Sequence, residues 1–263
     1  MSSKTFLLIA ISAFLCLSIA WAQTPAAAPE PQEPGVIPLA PPPSVPSEPM
    51  TPEKRGDIYM ARKMHREAIE QYEHCPQTAL ILNKLGIAYH QMNNLDTAKK
   101  FYERSLRKDK TYPEAVNNLG TIYYARRSYR RAVNQYQKAL KLSPNSASIH
   151  SNLGTAYFAR KKYKEAAEAY QHALQLDPDV FEHKSSQGVL IQERSVEERA
   201  KFHYYLAKVY AKAGSADRAM LYIRKSLEEG FKDRQKYIEE PEFAPLQELA
   251  EFKELMAAEP RVL

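Results

Sequence analysis

The chain has 263 residues, 44% of them apolar and 26% charged, with a formal net charge of +6 and a pI of about 9.1. That balance excludes a chain disordered throughout and fits one domain or one elongated array. Its two cysteines, Cys16 and Cys75, exclude a multiple-disulfide scaffold.

The first 22 residues stand apart. Met1 to Lys4 carries one positive charge, Thr5 to Ala20 is apolar or small, and the run ends in Ala20-Trp21-Ala22. This reads as a secretory signal peptide over 1–22, cleaved after Ala22. The alternative is an uncleaved anchor, because Phe6 to Ala22 reaches the short edge of a membrane span. Phe14 and Leu15 stand before Cys16 where a lipidation site wants small residues, so lipidation is not expected. The chain is expected to be exported, periplasmic or secreted, with membrane contact only if the segment is retained. Outside the cytoplasm, no specific nucleic-acid partner is expected. Cleavage leaves Cys75 alone, read as a small buried side chain, with intermolecular pairing as the alternative.

Residues 23–51 form a Pro/Ala-rich segment, and Gln23 to Pro52 holds 11 of the chain's 18 prolines. Such a composition favours extended polyproline II and supplies no packed core, so it is a spacer. The run PLAPPPSVP lacks the flanking charges of a Pro-rich docking motif.

Beyond the spacer a period of 34 organises the chain. It relates Leu85, Leu119 and Leu153; Gly86, Gly120 and Gly154; Tyr89, Tyr123 and Tyr157; Ala98, Ala132 and Ala166; and Tyr102, Tyr136 and Tyr170. A period of this length means stacked supersecondary units. Within one unit Val116, Leu119, Gly120 and Tyr123 share a helical face. Tyr129, Ala132, Val133, Tyr136, Ala139 and Leu140 form the stripe of a second, antiparallel helix. Gly120, Ala132 and Ala139 are expected where the two backbones approach. Pro76, Pro113, Pro144 and Pro178 fall at unit boundaries, where they interrupt no helix.

Leu-Gly-x-x-Tyr, then Ala, an aromatic residue, Ala and Pro at this spacing resemble the tetratricopeptide repeat, in a secreted or periplasmic bacterial setting. The resemblance implies an all-α fold: a right-handed α-solenoid of stacked helix-turn-helix repeats with a C-terminal capping segment. The array should span 52–263, with units at about 49–78, 79–112, 113–146, 147–180 and 200–233. Lys184 and Gln187 break the register before Gly188. Residues 181–199 therefore read as an insertion, whose apolar run GVLIQ is a candidate cover for a groove; a degenerate repeat over 181–214 is the alternative. Phe231, Phe243, Leu246, Leu249, Phe252 and Leu255 are the apolar anchors of the closing tail, with the cap at 234–263.

No catalytic chemistry stands out. His65, His74, His90, His150, His172, His183 and His203 include no i, i+4 pair and no ligand-spaced companion, so neither a metal nor another cofactor is expected. P-loop, GxSxG, HExxH and dinucleotide motifs are missing, and Glu197 and Glu198 read as a solvated face. An enzyme is not expected.

What the repeats offer is a surface. The face left by the packing stripe carries Asn117, Thr121 and Tyr124, matched by Asn83, Ile87 and His90, by Ser151, Thr155 and Phe158, and by Tyr204 and Lys208. Stacking would line the concave side with these residues. Asn118 and Asn152, just before Leu-Gly, resemble the residue that holds an extended peptide's backbone in related arrays, since an amide both donates and accepts. Lys84 stands there in the preceding unit, and a merely exposed polar residue is the alternative. A protein-protein interaction scaffold of the cell envelope follows, taking a protein or peptide segment on its concave face. A second reading is binding of an anionic envelope component, polysaccharide or phospholipid headgroup. It would use a ridge of turns: Arg126, Arg127, Arg130 and Arg131, then Arg160, Lys161, Lys162 and Lys164. A third is an accessory subunit of an envelope enzyme or assembly complex.

Overall fold

Thr51 accepts a hydrogen bond from the Lys54 N–H at 3.2 Å, and Pro52 occupies the first helical position, where its missing donor costs nothing. From there the array is helical. The computed structural model describes residues 50–182 and 195–258. The signal segment, nearly all of the spacer and the GVLIQ run lie outside them.

Among the described residues five antiparallel helix pairs follow in order. They are α1 (Pro52–Ala61) with α2 (His65–Glu73), α3 (Ala79–Gln91) with α4 (Leu95–Lys108), α5 (Pro113–Ala125) with α6 (Tyr129–Leu142), α7 (Ala147–Ala159) with α8 (Tyr163–Leu176), and α9 (Val196–Lys212) with α10 (Ala216–Glu228). The second helix of each pair also packs on the first helix of the next, α2 on α3 through to α8 on α9. No strand occurs among the described residues. This is a solenoid of stacked helix pairs, in which each unit is buttressed only by its neighbours.

Helix starts follow from capping chemistry. Thr78 accepts from the Ile81 N–H at 3.2 Å, Asn94 from that of Thr97 at 3.2 Å, and Pro113 opens α5. The turn inside each pair uses one left-handed residue: Lys63, Asn93, Arg127, Lys161 and, in the fifth unit, Gly214. α9 begins at Val196, with Ser195 accepting from the Glu198 N–H. Residues 196–199, expected to belong to the insertion, are thus its first turn, because a serine cap and two acidic residues favour a helix start there.

The repeated glycine and the repeated tyrosine are one contact. A Cβ added to Gly56, Gly86, Gly120 or Gly154 would lie 2.4–2.7 Å from ring carbons of Tyr72, Tyr102, Tyr136 or Tyr170 respectively, so the ring occupies the space a side chain would need. All four tyrosines are essentially fully buried. Burying one such ring stabilises by about 1.5–3 kcal/mol relative to leaving it in water. The fifth unit breaks both halves together: Ala207 replaces the glycine and Ile223 the tyrosine, and both are fully buried.

The tail closes the last unit. After a tight turn at Gly230 come α11 (Lys236–Glu239), a 3₁₀ turn over Pro241–Leu246 that packs on α9, and α12 (Ala250–Ala257). Phe243, Leu246 and Phe252 are buried as expected, joined by Tyr237, whereas Leu249 stays 38% exposed. The Phe231 ring stacks on Tyr204 at 4.5 Å.

Candidate binding face

The inner face is built by α3, α5 and α7, and its asparagines bond to one another along the array. Asn152 Nδ2 donates to Asn117 Oδ1 at 3.0 Å, Asn117 Nδ2 to Asn118 Oδ1 at 3.3 Å, and Asn118 Nδ2 to Asn83 Oδ1 at 3.0 Å. This is one continuous relay through three units. Asn83, Asn117, Asn118 and Asn152 are all buried, at 2–6% exposure, so none is a solvated surface amide. Successive first helices lie close enough for a short side chain to bridge them, and burial without such partners would cost about 1–3 kcal/mol per group.

Below the relay sit the tyrosine hydroxyls. Tyr136 and Tyr170 donate to Thr121 and Thr155, each at 3.3 Å, while Tyr72 donates to Asp57 at 2.7 Å. In the second unit the corresponding residue is Ile87, and the buried Tyr102 hydroxyl has no partner among the described residues. Thr121 and Thr155 are themselves buried.

The side chains still partly open on this face are Lys84, Ile87, His90, Tyr124 and Ser151. Lys84 is held by Glu53 at 2.7 Å and Asp57 at 2.8 Å. Burial holds the His90 imidazole below its ordinary pKa. Phe158 is buried among Tyr163, Phe202 and Tyr205. The fifth unit does not continue an open stripe: Tyr204 is buried under Phe231, and Lys208 pairs with Glu240 at 2.9 Å and Glu242 at 3.4 Å. The tail covers that part of the face because its acidic and aromatic residues match those two side chains.

The basic turns are unequal. Arg126 pairs with Asp96, Lys162 with Glu165 at 2.8 Å, and the Arg131 guanidinium lies 5.9 Å from the Tyr123 ring centre. Arg130 and Lys164 are exposed and Arg160 is half-buried. Arg127 and Lys161 differ from the rest, since both line one cavity of about 600 Å³ between the turns of the third and fourth units and the start of α9. Each has positive φ, 57° and 61°. Neither has an ion-pair partner among the described residues. Tyr124, Tyr129, Phe158 and Tyr163 give the cavity aromatic walls, and Lys201, Glu197 and Glu198 close it from α9.

Sequence spacing missed Tyr129, Tyr163 and Lys201. Spacing puts Tyr129 in the packing stripe and does not single out Tyr163, although their 34-residue separation directly after each basic turn is a usable signal. No group of three or more metal-ligating side chains occurs among the described residues, and no described helix is long and apolar enough to cross a membrane.

Family models for the tetratricopeptide repeat match residues 53–111 and 117–180. No curated protein matches the chain. Among solved structures, MamA is 22% identical over 66% of this chain and 93% of its own, with a TM-score of 0.45. MamA from Desulfovibrio magneticus RS-1, residue 41 to its end, is 19% identical over 66% and 89%, also at 0.45. The Cut9–Hcn1 hetero-tetramer of APC/C is 20% identical over 78% of this chain and 35% of its own, with a TM-score of 0.50. That likeness is one of fold.

Proposed function

We propose, from the premise that this chain is a tetratricopeptide repeat protein, that it is a non-enzymatic scaffold whose inner face binds a segment of a partner protein. Tetratricopeptide repeats serve protein-protein interaction, and no enzyme family accompanies them here. The observation that carries the reading is the inner face of α3, α5 and α7. A rigid floor of mutually bonded asparagines is bordered by half-open Ile87, His90, Tyr124 and Ser151, a mixture of apolar, aromatic and polar groups suited to an extended segment.

The place of action we propose is the cell envelope, as an exported protein, on the strength of the apolar segment ending in Ala20-Trp21-Ala22. The proline-rich spacer would then give the scaffold reach, as suits an accessory subunit of an envelope assembly. A second reading, attraction of an anionic envelope component, rests on Arg130 and Lys164, exposed at equivalent places of successive units and outside the cavity that Arg127 and Lys161 line.

The test is site-directed photo-crosslinking to peptides selected from a random library. Crosslinkers at Ile87, Tyr124 and Ser151 on the inner face should label the peptide, and one at Lys138 on α6 should not. Labelling at Lys138 alone would remove the inner face from consideration.

A further inference from the structure

We infer that the cavity between the third and fourth units is a docking pocket for an acidic, proline-containing segment of a partner protein, with one carboxylate seated between Arg127 and Lys161. The inference rests on the scaffold reading above and adds to it a place and a partner chemistry.

Charge comes first. Arg127 and Lys161 occupy equivalent positions of successive turns and have no acidic partner among the described residues. Their positive φ fixes the direction in which each side chain leaves the turn. Lys201, the third cation, is already engaged, its ammonium 4.2 Å above the Tyr163 ring. Two cations without acidic partners among the described residues, facing a cavity with aromatic walls, favour a carboxylate attached to an apolar body.

The rings supply the second argument. Each unit contributes a pair, Tyr124 with Tyr129 at 5.2 Å and Phe158 with Tyr163 at 5.3 Å, and Tyr205 stacks on Tyr163 at 4.9 Å. Phe158 is buried and Tyr163 is covered by Tyr205 and Lys201, which leaves the half-buried Tyr124 and Tyr129 as the ring surface on which prolyl rings of an extended polyproline II segment dock, with little ordering cost because that conformation is preformed.

The chain itself displays this chemistry one unit further on. The stretch Glu240-Pro241-Glu242-Phe243 lies against α9, with both glutamates on Lys208 and Phe243 beside Tyr204 at 6.1 Å. There an acidic, proline-bearing segment covers an aromatic residue and a lysine of a first helix. The cavity offers a similar pair, the Arg127 cation beside the rings of Tyr124 and Tyr129, with Lys161 as a second cation.

Glu197 and Glu198 decide against a polyanion. They set two carboxylates against three cations in the lining, leaving room for one further negative charge rather than many.

The test uses the full chain and a fluorescein-labelled peptide EPEFAP, followed by fluorescence anisotropy. Saturable binding is expected, weakened at least tenfold in the Arg127→Gly/Lys161→Gly double variant and at least tenfold for the peptide QPQFAP. Both substitutions put glycine where φ is positive, so the variant keeps its fold, and its melting curve verifies this. Unchanged affinity in the variant, or no binding by millimolar EPEFAP, overturns the inference. So does binding of heparin in place of the peptide through the same two residues, which would assign the cavity to polyanions. Crosslinking of library peptides at Ile87 and Ser151, which lie outside the cavity, would persist in these outcomes if the scaffold reading alone is right; its loss would sink that reading separately.

Discussion

Ile87 packs with Tyr102 where the next two units place a threonine against a tyrosine, and the Tyr102 hydroxyl is left buried without a hydrogen-bond partner among the described residues. The two substitutions Tyr102→Phe and Tyr136→Phe should therefore differ. Tyr136→Phe breaks the bond to Thr121 and should cost about 1 kcal/mol, whereas Tyr102→Phe discards an unsatisfied hydroxyl and should be neutral or stabilising. Urea denaturation of both variants measures the difference. Equal losses would mean that Tyr102 has a partner in solution.

Glycine to alanine within a helix ordinarily gains about 1 kcal/mol. Gly120→Ala should do the reverse, losing about 1–3 kcal/mol, because its Cβ would meet the Tyr136 ring at 2.7 Å. The fifth unit supplies the remedy, since Ala207 and Ile223 hold the two equivalent positions there, buried in one cluster. Gly120→Ala combined with Tyr136→Ile should show favourable coupling in a double-mutant cycle read by thermal unfolding.

The amide relay predicts a position-dependent cost. Asn117→Ala removes both the acceptor for Asn152 and the donor to Asn118, and should destabilise by about 1–3 kcal/mol. Ser151→Ala, at the equivalent place one unit on, should stay within about 0.5 kcal/mol. Chemical denaturation with circular dichroism checks both.

How much of this was legible in the sequence depends on whether contacts stay inside one unit. The helix pairs and their antiparallel packing follow from a period that repeats Leu, Gly, Tyr and Ala, so these were readable. Asn118 and Asn152 were read as amides offered to a ligand, because spacing reveals which face a residue occupies but not that the neighbouring unit's Asn83 and Asn117 lie 3.0 Å away. Tyr237 escaped notice in a tail without periodicity, and it is fully buried. Lys208 was legible as a face residue, yet only the folded tail brings Glu240 to it.

Acid should weaken the fold through His90. Burial lowers its folded-state pKa, so the unfolded chain binds a proton near pH 6.5 while the folded one does not until lower pH. The unfolded state then holds more protons, and stability falls as pH drops through that window. His203, lowered by its own burial against the pull of Glu229 at 2.7 Å, adds to the same trend. His90→Gln should reduce, without abolishing, the fall in Tm between pH 7 and pH 5.5; an unchanged slope would place the proton uptake elsewhere.

The relay of amides also has a grammar. The third unit, residues 113–146, holds both words of the joint, since Asn118 donates to the unit before it and Asn117 accepts from the unit after it. The second unit supplies an acceptor and the fourth a donor. A segment that carries plug and socket together can be copied in tandem, and each copy would couple to the last through a joint the molecule already possesses. The array is in this sense extensible from its middle, while its fifth unit, sealed by Tyr204, Phe231 and the folded tail, is a terminus.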